Sequence, residues 1–123
     1  IVIRGGVIHG DGVGKRLGYP TANLGISKEK IKLSPGVYAA RAVLNGKKYD
    51  ASLVIQSVFA RGLRRTRIFK VEVHLLDYVG EDFYGVYLEV EAGEKVSEIA
   101  PFESEKELIK KIGEDMEKVK SAL

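Results

Sequence analysis

The chain has 123 residues, 45% hydrophobic and 30% charged, enough for one domain with a true core and too evenly mixed for a disordered or membrane-embedded polypeptide. No apolar run approaches the ~20 residues of a spanning helix, and the absence of cysteine excludes thiol nucleophiles, disulfides and zinc-thiolate sites. The net charge of +3 conceals an asymmetry, with 14 Lys or Arg against 3 acids in residues 1–70 and 6 Lys against 14 acids in residues 71–123. The front half therefore suits anionic partners such as phosphates or nucleic acid, unless the two stretches simply face each other across one fold.

The first eight residues, IVIRGGVI, are rich in β-branched side chains and predict a strand, with Gly5-Gly6 marking a bulge. HGDGVGKRLG then places Gly10, Gly12, Gly14 and Gly18 in a loop whose backbone can approach a ligand closely. YPTANLG follows, and KEKIKLSPG ends in a Pro35-Gly36 turn. VYAARAVL and KKYDASLVIQ flank Asn45-Gly46, the signature of a two-residue hairpin. The basic segment ARGLRRTR is expected to be a mobile loop before the strand FKVEVHLLDY, in which Phe69, Val71, Val73 and Leu75 alternate with Lys70, Glu72, His74 and Leu76. VGEDFYG links this strand to YLEVEA. Leu108, Ile109, Ile112, Met116 and Val119 draw one stripe on a helix, and Ser104 with Glu107 forms a capping box that starts it at about Glu105. Strands joined by short turns and closed by one amphipathic helix predict a small antiparallel barrel or curled sheet, as a single domain over residues 1–123.

Three segments carry candidate chemistry. The glycine loop, with Lys15 and Arg16 beside it, can cradle phosphates through its backbone amides, although its spacing is neither a Walker A loop nor a dinucleotide fingerprint. Thr21 and Asn23, two positions apart, present neutral oxygens to one side of an extended chain, a partial shell for magnesium whose charge is balanced by substrate phosphates; the alternative is a local turn bonded to its own backbone. With only His9 and His74 as imidazoles, any metal here is expected to be oxygen-bound. Glu72 lies away from the main apolar stripe of its strand. In a cleft, partial burial raises its proton affinity and suits it to accept a hydroxyl proton; on an open surface it is a solvated side chain. His74 shares its face and its ambiguity.

HGDGVGKRLGYPTANLG, PGVYAARAVLNGKKY, VEVHLLDYVGEDFYG and FESEKELIKKIGEDMEK, in this order over nearly the whole chain, resemble the riboflavin kinase (flavokinase) family. The resemblance implies a mainly β fold, a six-stranded antiparallel β-barrel with a C-terminal α-helix. It implies transfer of the ATP γ-phosphate to the 5′-hydroxyl of riboflavin, giving FMN and ADP, with Mg²⁺ as cofactor. By position it assigns Glu72 as catalytic base, Gly10, Asp11, Gly12, Gly14, Lys15, Thr21 and Asn23 to the nucleotide, Thr21 and Asn23 to the metal, and Phe102 and Ser104 to the flavin. In bacteria such a domain commonly follows an FMN adenylyltransferase domain in a bifunctional FAD synthetase. A cytoplasmic setting without a membrane partner is expected. Gln56, Val58, Arg61 and Gly62 stand where the family has an Asn, a Gly and a Pro-Thr pair in a flap, and Ser97 and Ile99 replace an Arg and a Glu before the helix. A non-catalytic flavin or nucleotide binder with an altered flap is the alternative. A basic RNA-binding module using Arg61, Arg64, Arg65 and Arg67 is less favoured, because only Phe59 and Phe69 accompany those arginines.

Overall fold

The computed structural model describes residues 1–8, 21–26, 31–60, 63–78, 85–99 and 103–123. Six strands form a closed antiparallel barrel: β1 (Val2–Ile8), β2 (Thr21–Gly25), β3 (Gly36–Leu44), β4 (Lys47–Ala60), β5 (Leu63–Leu75) and β6 (Tyr87–Ser97), followed by helix α1 (Glu105–Ala122). Around the ring the order is β1-β2-β5-β4-β3-β6, with β6 closing on β1. The barrel and its C-terminal helix are therefore as expected.

Strict alternation builds the core. Ala22 and Leu24, Ala40 and Ala42, Leu53 and Ile55, Val71 and Val73, and Leu88 and Val90 all point into the lumen and are buried in one cluster. A six-stranded barrel is too narrow for an aqueous channel, so these side chains fill it. Alanines on β2, β3 and β4 leave room for the branched side chains opposite them. The hairpin signal holds, since Leu44 pairs with Lys47 and both Asn45 (φ 51°) and Gly46 (φ 80°) are left-handed, as a type I′ turn requires.

The glycines of β1 do not form the expected bulge. Arg4, Gly5 and Gly6 pair in unbroken register with Glu89, Leu88 and Tyr87. Gly5 is required for close approach instead, because a Cβ there would lie 2.8 Å from the Cγ1 of Ile26. In the β3–β6 ladder the register shifts fall on β6: Tyr38 pairs with Lys95 but Ala40 with Ala92, and Val37 pairs with Ser97. The extra β6 residues bend the strand around the barrel.

The expected basic loop is also corrected. Residues 63–67 belong to β5, whose backbone pairs with β4 as far as Phe59 opposite Arg67 and Ala60 opposite Leu63. Arg61 and Gly62 lie outside the described residues. Helix α1 covers the outer wall of the barrel, packing Val119 on Val37 and Ala39 with Val54, Leu76, Val96 and Leu123 around them. Of its predicted stripe, Met116 and Val119 are buried but Ile109 stays 45% exposed. Asp115 takes a buried position instead, held by Lys111 at 2.6 Å, and Lys111 also reaches Ser97 at 2.7 Å.

Candidate functional site

The pairing of β2 with β5 brings the candidate residues together. Thr21 stands opposite His74 and Asn23 opposite Glu72. Directly opposed residues of an antiparallel pair share a face, with Cβ atoms about 4.5–5.5 Å apart. Ala22 and Leu24, like Val71 and Val73, fill the lumen, so Asn23, Glu72 and His74 face outward. The candidate site therefore lies on the outer wall of the barrel. On the far side of β5, Val54 of β4 is opposite Glu72 and Ser52 is opposite His74. Val54 belongs to the apolar contact under α1, which places the helix beside this wall. The backbone of Thr21–Gly25 is an extended strand and not a turn.

Glu72 is well shielded, with its side chain only 13% exposed. Lys70 Nζ lies 2.9 Å from Oε1, and His74 Nε2 lies 3.6 Å from Oε2. All three alternate along one face of β5. Burial pushes the Glu72 carboxyl up, but the contact with His74 and the ammonium of Lys70 outweigh it and hold the group below its ordinary value. The direction expected from burial alone is thus corrected: Glu72 is ionised at neutral pH, an acceptor ready for a proton. Lys70 was not singled out from the sequence, although its position two residues before Glu72 on a period-two strand carried the signal.

The remaining site candidates divide. Gly10, Asp11, Gly12, Gly14, Lys15 and Phe102 lie outside the described residues. Ser104 caps α1, its hydroxyl accepting from the backbone N–H of Glu107 at 3.2 Å, while Glu107 Oε2 accepts from the N–H of Glu103 at 2.8 Å. Its oxygen thus serves the helix. Gln56 pairs with Lys70 on the ladder beside the site, Ser97 receives the Lys111 ammonium, and Ile99 is exposed. Among the described residues no group of three or more His, Cys, Asp or Glu could hold a metal ion. A cation at this wall would need the neutral oxygen of Asn23, water and oxygens of its substrate. That donor chemistry fits magnesium, which keeps water and phosphate in its shell and rarely takes an all-protein cage.

A small closed barrel with an ionised carboxylate and an amide juxtaposed on its outer wall defines the class: a β-barrel domain with a polar site built on the wall and not in the lumen. The family model described as Flavokinase: Riboflavin kinase matches residues 1–123, and the chain belongs to the riboflavin kinase family. The bifunctional riboflavin kinase/FMN adenylyltransferase of Bacillus subtilis is 34% identical over 113 residues, covering 92% of this chain and 35% of that protein. The protein of the same name from Escherichia coli K12 is 36% identical over 116 residues, again 92% of this chain and 35% of the relative. The chain thus spans about a third of the length of these relatives. A solved structure described as a macrolide-efflux protein from Streptococcus pneumoniae matches with a TM-score of 0.85 and 26% identity, over 97% of this chain and 38% of that one. Efflux is a property stated for that protein, whereas the barrel is shared.

Proposed function

We propose that this domain is a riboflavin kinase, transferring the γ-phosphoryl group of ATP to the 5′-hydroxyl of riboflavin to give FMN and ADP. The observation that carries the assignment is the register of Asn23 opposite Glu72: a neutral oxygen suited to the nucleotide side stands beside a carboxylate suited to the alcohol side. Phosphoryl transfer asks a protein mainly to position its reactants and to balance charge. Glu72 accepts the proton of the 5′-hydroxyl as the new O–P bond forms and the bond from the γ-phosphorus to the ADP oxygen breaks. The ionised state of Glu72 supports that role. Thr21 and Asn23 are the residues that would hold a magnesium ion, which when bound neutralises phosphate charge. By the family resemblance Gly10, Asp11, Gly12, Gly14 and Lys15 are assigned to the nucleotide, and Phe102 and Ser104 to the flavin.

Residues 1–123 act as one domain. In the whole protein an FMN adenylyltransferase domain precedes it, as the names and lengths of the relatives suggest, and the setting is cytoplasmic. No helix among the described residues is long and apolar enough to cross a membrane. The test is direct: riboflavin, ATP and Mg²⁺ are incubated with the protein and FMN is followed by chromatography. Stoichiometric appearance of FMN and ADP is expected. Flavin binding without turnover at saturating ATP and Mg²⁺ would select the non-catalytic binder instead.

A further inference from the structure

The carboxylate of Glu72 has two polar neighbours that differ in freedom. Lys70 reaches Oε1 on a four-carbon stem that is 28% exposed, whereas His74 stands at Oε2 with its side chain only 6% exposed. His74 also sits between two strands in register, opposite Thr21 on β2 and Ser52 on β4, and Ser52 is itself 2% exposed. An imidazole with two rotatable bonds in that setting has little room to move, while a lysine at the rim can swing into water. A shielded carboxylate oxygen stripped of its donor carries a desolvation cost, so whatever displaces a donor must replace it. An alcohol O–H can take the place of an ammonium N–H without leaving the oxygen bare.

From this asymmetry we infer that His74 is a positioning residue which fixes Oε2 of Glu72, and that Lys70 holds Oε1 until the acceptor hydroxyl exchanges for it. His74 donates a hydrogen through Nε2 and moves no proton in the reaction. Its effect is to set the rotation of the carboxylate, so that Oε1 is the atom presented to the alcohol. The 3.6 Å separation is long for a hydrogen bond and closes by a small turn of the carboxylate, in keeping with catalytic contacts that tighten on substrate binding. The inference rests on the kinase assignment above.

The experiment compares steady-state kinetics of wild type, His74→Leu, His74→Asn and His74→Gln, with thermal melting of each. Leucine fills the site without a donor. The asparagine amide falls short of Oε2, and the glutamine amide reaches about as far as Nε2. His74→Leu and His74→Asn are expected to lower kcat ~10²-fold, the scale of a reacting group misplaced by about 1 Å, with both KM values within about threefold of wild type. His74→Gln should recover most of that loss. Lys70→Met should lower the KM for riboflavin, because the alcohol no longer competes with an ammonium. If His74→Leu does not fold, the Asn and Gln pair carries the same comparison. Equal activity in Asn and Gln, a loss confined to KM, or a raised riboflavin KM in Lys70→Met overturns the inference. Wild-type protein that makes no FMN overturns the kinase assignment itself, a result separate from any ranking among variants.

Discussion

Replacing Glu72 with glutamine removes the proposed base while leaving its surroundings nearly intact. The side chain keeps its length and its 13% exposure, and the amide oxygen can still accept from Lys70 Nζ at the 2.9 Å position of Oε1. What is lost is the charge and, with it, the capacity to hold a proton. A positioned general base is worth ~10²–10⁴-fold, or about 2.7–5.5 kcal/mol of barrier at 1.36 kcal/mol per decade. The structural cost is smaller: the Lys70 ammonium keeps a neutral oxygen in place of a carboxylate, and the amide NH2 meets His74 Nε2 at the other position, about 1 kcal/mol in all. Turnover of Glu72→Gln should therefore fall at least ~10²-fold while ATP binding, measured by calorimetry, and the melting curve change little. FMN formation would be timed by quench and chromatography under saturating substrates. A variant whose turnover stays within about threefold of wild type would show that no proton passes through this carboxylate.

The lowered proton affinity of Glu72 fixes a sign with pH. Its ionised form is favoured by folding, so its contribution to stability is full above the ordinary carboxylate range and is lost as pH falls through that range to the lower folded value. The acid limb of kcat/KM should lie there too, and a limb between about pH 6 and 7 would contradict the net lowering. Asn23→Ala should raise the Mg²⁺ concentration for half-maximal rate about tenfold, read from a magnesium titration of FMN formation. Leu53, fully buried in the lumen, should cost about 2–5 kcal/mol when cut to alanine, seen as a lower urea midpoint. Ser104→Ala removes the helix cap and should cost about 1 kcal/mol, measured the same way.

Legibility tracked how local the cause was. The β5 alternation, the Asn45-Gly46 turn and the Ser104–Glu107 start of α1 each depend on residues adjacent in sequence, and all three appear in the structure. The common face of Glu72 and His74 followed from the same period of two. A basic run lacks strand patterning and so predicts a loop at residues 63–67, yet they belong to β5, whose ladder with β4 holds Arg67 and Leu63 across a register shift. Gly5 looked like a bulge because its actual reason, the side chain of Ile26, lies 21 positions away. The proton affinity of Glu72 went the other way from expectation because burial is visible in a hydrophobic pattern, whereas the reach of the Lys70 ammonium is not. Asp115, inward-facing in the helix, broke its apolar stripe for a similar reason: Lys111 neutralises it from one turn away.

The wall carrying the site is a single chain thick. Consecutive residues of β5 alternate between filling the lumen (Val71, Val73) and forming the polar face (Glu72, His74), and both neighbouring ladders hold that alignment without interruption from Val71 to Val73. Point substitution can disturb one task and spare the other. Inserting or deleting one residue there would exchange the two sets, turning charge inward and oil outward at once. Length, more than composition, is the property this short stretch can least easily give up.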